Sequence, residues 1–295
     1  MVESQDKFAR QILAFGTEGQ KVIMNTKVGI VGLGGMGSCI LQMLAYLGIQ
    51  EFMLLDDDRV EGSNLNRLVG STREDVTNKT LKIEVAQRVI KSINSEARVI
   101  SLGNLRTAEA LEGLSTFPDV IFGCVDNDSA RMILTELAAA YRKVLIDCAT
   151  EIFCEGDKII NFGGRVVIAR PGDFCLLCAN QIDPEIAKQE LESDEEKVFR
   201  KNHGYGLGVS VTAPAVISLN TTIAGLAVTE FLMLLTGIRQ PERMLTYKGM
   251  DQGKVVPSKD NKRPGCFVCD FLVGKGDKAG LKKYLKSDLP ADLPK

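Results

Sequence analysis

Lys27-Val28-Gly29-Ile30-Val31-Gly32-Leu33-Gly34-Gly35-Met36-Gly37 is the stretch that decides the fold. Its first five residues read as a short β-strand that ends at a glycine-rich turn. Ser38–Leu47 then reads as a helix and Glu51–Leu55 as a second strand. Strand, glycine turn, helix and strand make a βαβ unit. In such a turn Gly32 permits the tight bend, Gly34 lets backbone approach a phosphate, and Gly37 lets helix and strand pack. The helix after the turn points its first amides, and the positive end of its dipole, at an anion.

Downstream, Asp56 ends the second strand, where its carboxylate belongs beside ribose hydroxyls. Asp57 reads as a residue of a solvated turn. A dinucleotide site needs one acid there, yet Asn64 and Arg67 come at once, then Lys79, Lys82 and Asp126-Asn127. These extra groups suit a triphosphate and its magnesium. An arginine offers a planar fork and a lysine a point charge for a departing pyrophosphate. Leu81, Val85, Ala86, Val89, Ile90 and Ile93 recur at helical spacing, which puts Lys79 and Lys82 on one side of a helix near its start. Lysines on an exposed helix face remain the competing reading. Asp126 comes after the apolar run Val120–Phe122 and belongs at the carboxyl edge of a parallel strand. It could hold magnesium through one or two oxygens or cap the next helix. Both roles are compatible if Asn127 or Asp128 is the cap.

Val99–Leu102, Val120–Phe122 and Val144–Ile146 are short apolar runs alternating with helical segments, the pattern of a parallel sheet covered on both faces. After Asp147, Gly156-Asp157 and Gly163-Gly164 punctuate β-rich runs with no helix between them, so antiparallel strands are expected. The expected fold is therefore α/β: a Rossmann-like, mainly parallel sheet extended by antiparallel strands. Residues 4–24 read as a helix carrying Phe8, Ile12 and Phe15. Asn180–Gly208 is polar and acidic, a mobile segment or in part a short surface helix. Ala213–Gly237 is apolar, but Asn220, Thr221, Thr222 and Glu230 interrupt it, so it reads as a buried helix and no membrane span. Lys275–Lys295 is expected to fray. These readings divide the chain into an N-terminal helix (1–24), a nucleotide-binding half (25–170), a second half with the metal and the crossover segment (171–273), and a tail (274–295).

The chain has 295 residues, 45% hydrophobic and 25% charged, with a net charge of −2. That balance gives no reason to expect nucleic acid or an anionic membrane as partner. The N-terminus lacks the basic and apolar blocks of a signal peptide, and cytoplasm is expected. Of eight cysteines, Cys175/Cys178 and Cys266/Cys269 form two CxxC pairs, each opening on a turn (Pro171-Gly172 and Pro264-Gly265). Four thiolates at about 2.3 Å suit one tetrahedral zinc. Such a site is structural, because it leaves no open position for substrate. Cys39, Cys124, Cys148 and Cys154 are scattered among apolar residues, and Cys148 and Cys154, near the expected substrate face, read as buried, inert thiols.

In order and spacing, GxGGxG (which includes Gly35), D-x-D-x-V-x-x-S-N-x-x-R from Asp56 through Asp58 to Arg67, a lysine on the next helix, and Asp-Asn after a strand resemble one family. It is the ThiF/MoeB family of enzymes that activate ubiquitin-like and sulfur-carrier proteins, and the resemblance spans residues 8 to about 270. The resemblance implies that Asp56 binds ribose, Arg67 and Lys82 grip the triphosphate of ATP, and Asn64 lies in the nucleotide site. Asp58, Lys79 and Asn127 fall within the same motifs. Asp126 is implied as the magnesium and catalytic acid, and the family pattern supports zinc on the four cysteines. Arg10, which residue reading alone leaves on a helix surface, is implied to reach into the partner's site of a homodimer. Leu68 and Lys79 depart from the pattern, standing where Gln and Gly are common. Residues 179–265 contain no cysteine, and the sole histidine, His203, has no cysteine near it in sequence. The nearest branch is therefore the MoeB-like one, without a crossover-loop cysteine. The expected activity is adenylation of the C-terminal carboxylate of a small β-grasp carrier. The alternatives are a peptide or modified-tRNA carboxylate, a nicotinamide-dependent oxidoreductase, and an inactive scaffold subunit.

Overall fold

Eight strands build one sheet: β1 (Lys27–Val31), β2 (Glu51–Leu55), β3 (Arg98–Leu102), β4 (Val120–Gly123), β5 (Val144–Glu155), β6 (Lys158–Ala169), β7 (Met244–Lys248) and β8 (Lys254–Pro257). The computed structural model describes residues 2–192 and 214–286, with side chains from Lys7 onward. His203, the acidic residues beyond Glu192 and residues 287–295 lie outside them. The strand order is β3-β2-β1-β4-β5-β6-β7-β8. β3, β2, β1, β4 and β5 run parallel, and β6 to β8 continue the sheet antiparallel. β1, β2 and β4 are buried almost along their whole length, so they read as unbroken apolar runs rather than alternating ones.

Helices α1 (Val2–Asn25), α2 (Gly35–Leu47), α3 (Arg73–Thr77), α4 (Lys82–Ile93), α5 (Ala108–Thr116), α6 (Asp128–Ala140), α7 (Pro184–Leu191) and α8 (Ile217–Thr236) connect and cover the strands. One apolar layer joins the sheet to α2, α4 and α8 through Ile40, Leu44, Phe52, Phe122, Ile146 and Ile223. Phe122 and Phe231 meet edge to face in it, with centroids 5.4 Å apart. The second layer packs α5 and α6 on the other face through Ile121, Leu134, Leu137, Leu145 and Val167. The four paired cysteines belong to that second layer.

α8 is long and apolar enough to cross a membrane by length and composition. One face of it, with Leu219, Ile223, Ala227 and Phe231, is buried in the first layer. Its buried Glu230 is neutralised by Arg239 and accepts the Glu242 N–H at 2.8 Å.

Four local expectations are corrected. α1 is broken at Gly16 (φ 73, ψ 168) and is not one straight helix. Its first part is fixed by buried Phe8 and by Lys7 and Gln11, which donate to Ile93 O and Tyr46 O. Gly163-Gly164 does not divide two strands. Both glycines lie inside a continuous β6 that pairs with β5 and β7, and the turn is Gly156-Asp157 alone. Residues 276–286, expected in a frayed tail, form two 3-10 turns with Leu281 and Tyr284 buried. The helix expected from Lys79 begins at Lys82 instead.

Candidate functional site

The strand order reverses between β1 and β4, and in an open α/β sheet that reversal opens a crevice at the carboxyl ends. Here a cavity of about 1440 Å³ fills it. Small-molecule sites usually measure roughly 300–1,000 Å³, so there is room for more than one small ligand.

Its floor is the glycine turn. Gly32 has φ +87, and a methyl group there would stand 2.6 Å from Cys124 O. At Gly37 a methyl would stand 1.9 Å from Gly32 O, so this glycine lies beneath the turn and packs, outside the cavity lining. Around Gly34 there is open space, and Gly34 caps α2 without any side-chain hydrogen bond. The first amides of α2 are therefore left to an incoming anion.

Asp56 joins this turn to β2. Its Oδ2 accepts the Leu33 N–H at 2.6 Å and its Oδ1 the Asp58 N–H at 2.9 Å. Burial raises its pKa above the ordinary carboxylate value, with Lys82 and those amides pulling the other way. Asp57, expected in a solvated turn, accepts from Asn104 Nδ2 at 2.8 Å. Lys82 begins α4 and its Nζ lies 2.6 Å from Asp58 Oδ2. Arg67 donates to Ser63 O and to Asn66 Oδ1, and Asn64 Oδ1 caps the Glu61 N–H. A methyl on Gly35 would meet Asn220 Nδ2 at 2.4 Å and Arg67 Cγ at 3.1 Å, so this glycine lets both side chains cross the turn.

On the opposite wall Asn127 is the cap of α6, its Oδ1 accepting the Ala130 N–H at 2.8 Å. Asp126 is thereby released from capping. It is exposed, and its Oδ1 accepts from Asn127 Nδ2 at 3.3 Å. Among the described residues its other oxygen has no partner, a donor set that fits magnesium shared with phosphates.

Gly32, Gly34, Gly35, Asp56, Asp58, Asn64, Arg67, Lys82, Asp126 and Asn127 thus line one cavity. Lys79 and Arg10 do not. Lys79 is exposed at φ 52, a left-handed conformation that suits glycine, and its carbonyl accepts from Arg59 at 2.6 Å. Arg10 is exposed on α1. Sequence reading missed Asn104, Arg106, Arg131, Glu190 and Asn220, which also line the cavity. Glu190 accepts the Ser129 N–H at 2.7 Å, docking α7 on the start of α6. Arg106 donates to Tyr284 O at 2.9 Å, tying in the C-terminal turns. None of these stands in a motif, and only chain folding brings them together.

The four cysteines converge away from this cavity. Cys175, Cys178, Cys266 and Cys269 are buried, with ligand atoms all within 4.8 Å of one another. Sulfur separations are 3.6 Å (Cys175–Cys266), 3.7 Å (Cys175–Cys178) and 3.8 Å (Cys178–Cys269). A tetrahedron with metal–sulfur bonds of about 2.3 Å has edges of about 3.8 Å, whereas a disulfide is about 2.05 Å. The quartet therefore fits a four-thiolate metal. Hydrogen bonds from neighbouring thiols, Cys269 foremost, hold Cys175 down at about 5.

A family model described as the ThiF family matches residues 8–268. The Sulfur carrier protein ThiS adenylyltransferase of Escherichia coli is 30% identical over 89% of this chain and 94% of its own length. The SAMP-activating enzyme E1 of Haloferax volcanii is 27% identical over 90% of this chain and 88% of its own length. Escherichia coli MccB, solved with MccA, superposes with a TM-score of 0.69 at 19% identity, over 90% of this chain and 74% of MccB, a likeness of fold.

Proposed function

The chain belongs to the ThiF family, and we propose that it is an ATP- and magnesium-dependent adenylyltransferase acting on the C-terminal carboxylate of a small sulfur-carrier or ubiquitin-like protein. The observation that carries the reading is that Arg67, Lys82 and Asp126 share one cavity with the glycine turn. A nicotinamide oxidoreductase would use the turn and Asp56 but would leave those three groups without work. The names of the relatives, an adenylyltransferase for a sulfur carrier protein and an activating enzyme E1 among them, support the choice of acceptor.

In this mechanism Asp56 orients the ribose, while the turn and the uncapped end of α2 receive phosphate oxygens. Asp126 would hold the magnesium, which when bound offsets the charge of the triphosphate. A carboxylate oxygen of the carrier's tail attacks the α-phosphorus. The bond from that phosphorus to the bridging oxygen breaks, and pyrophosphate departs with its electron pair. Lys82 and Arg67 stabilise the charge that grows on it. The tail is already anionic and needs no general base, so catalysis is positioning and charge stabilisation.

Arg10 is exposed and is not among the residues lining its own chain's cavity, so it is free to act in the site of a second copy, and the proposal includes a homodimer on the strength of the family resemblance. Zinc on the cysteine quartet would be structural, with every ligand position filled by the chain. A cytoplasmic setting is part of the proposal, since a metal held by thiolates of CxxC pairs suits a reducing compartment. The test is intact mass spectrometry of a candidate carrier incubated with the protein and ATP–magnesium. The reading expects a carrier heavier by one adenylyl group. No adduct on any carrier with a free C-terminus, under conditions where ATP binds, would count against it.

A further inference from the structure

We infer that Arg131, held by the buried carboxylate of Asp147, is the positioning residue that sets Asp126 for its metal; this rests on the adenylation reading above. Asp147 lies on β5 in register with Gly123, the last residue of β4. A methyl group at Gly123 would stand 3.3 Å from Asp147 Oδ1, so the glycine makes room for a carboxylate inside the sheet edge. The Asp147 side chain is 1% exposed. One of its oxygens accepts from Arg165 Nη1 on β6, and the other lies 3.6 Å from Arg131 Nε. An acid buried this deeply persists only with such partners.

Arg131, itself 12% exposed, turns its other two nitrogens to the loop between β4 and α6. Nη2 donates to Val125 O at 2.9 Å and Nη1 to Asp128 Oδ1 at 3.1 Å. Val125 and Asp128 bracket Asp126 and Asn127. One planar guanidinium therefore grips the loop on both sides of the metal acid, while Asp147, itself held by Arg165, pairs with the guanidinium from behind. Among the described residues Asp126 has no comparable support of its own, only Asn127 at 3.3 Å. A ligand so lightly held takes its geometry from the groups behind it. The other oxygen of Asp128 accepts the Asp183 N–H at 2.9 Å, and Asp183 caps α7, so the same brace reaches the neighbouring helix.

A lysine at 131 keeps the charge but not the planar fork that donates to Val125 O and Asp128 Oδ1 at once while facing Asp147. The test tracks Mn2+ as a spectroscopic stand-in for magnesium, by electron paramagnetic resonance, on the full-length protein with ATP. Arg131→Lys is expected to raise the Mn2+ concentration for half-occupancy about 10-fold, the lower range for losing a partner of a metal ligand. ATP affinity measured without metal should stay within about twofold of the parent on the same argument. In ATP–pyrophosphate exchange the magnesium requirement should rise by the same factor while the rate at saturating magnesium falls far less. Asp147→Asn should shift the Mn2+ curve in the same direction, and if that variant fails to fold, Arg131→Lys carries the test. An unshifted Mn2+ curve in a folded Arg131→Lys, or an equal loss of metal-free ATP affinity, would overturn the inference. Failure of the adenylation reading looks different: the parent protein would itself show no ATP-dependent Mn2+ site, with Asp126→Ala changing nothing.

Discussion

The cavity at the carboxyl edge and the cysteine quartet are both built from residues far apart in sequence, yet they are opposite in kind. In the cavity the first amides of α2 are uncapped, one oxygen of Asp126 has no protein partner among the described residues, and Lys82 is paired with the exposed Asp58. In the quartet four buried sulfurs face one another at tetrahedral spacing, enough to fill every position of one metal. Bonding capacity left open is available for a substrate, and capacity closed on itself is available for stability. Substitutions in the two regions should therefore separate activity from stability.

The largest effect belongs to the open region. Asp126→Ala and Lys82→Ala should each lower ATP–pyrophosphate exchange by about 10²–10³-fold, with melting temperatures within a few degrees of the parent. A large loss of stability in either would break the comparison. Cys266→Ser should do the reverse: zinc content measured by mass spectrometry falls and the melting temperature drops by roughly 10 °C, because metal affinity at such a site is folding free energy. Exchange by the molecules still folded at about 20 °C should change less than about threefold, since the quartet lies outside the cavity.

Gly37→Ala sharpens the contrast at the one place where structure and site meet. Its new methyl would lie 1.9 Å from Gly32 O, so the turn must move. A cost of about 3 kcal/mol in urea denaturation is expected, together with weaker ATP binding in calorimetry. The smallest effect lies at a brace outside both regions. Asp75, in the first turn of α3, accepts the N–H of the cap residue Thr72 and pairs with Arg88 at 2.7 Å. Arg88, helped by Thr72, holds the Asp75 pKa down at about 2. A carboxyl depressed below its unfolded value of about 3.9 gives stability that is present above about pH 4 and lost as the pH falls toward about 2. Asp75→Asn should cost about 1–2 kcal/mol at neutral pH and flatten the acid limb of stability between those values.

Much of this is legible in sequence because it depends on local order. The glycine turn, the strand-end Asp56, the division of labour between Asp126 and Asn127, and the CxxC pairs each need only neighbouring residues to be recognised. The rest depends on long-range packing. Asp147, Arg165 and Arg131 come from two strands and a helix, and nothing in their local spacing marks them as partners. Arg106 takes its acceptor from Tyr284, in a segment whose lysines suggest a loose end. Lys79 is misplaced by a helical pattern that holds only from Lys82, because the left-handed residue before it starts no helix. The long β5–β6 hairpin reads as shorter pieces, since paired glycines usually mark turns and here lie within a strand.

ATP–pyrophosphate exchange with a small carrier protein bearing a free C-terminal carboxylate tests the central claim most directly. The account predicts exchange that requires the carrier and magnesium, disappears when the carrier's terminus is amidated, and is nearly abolished by Asp126→Ala. Exchange that persists with the amidated carrier, or at the parental rate in Asp126→Ala, would contradict it.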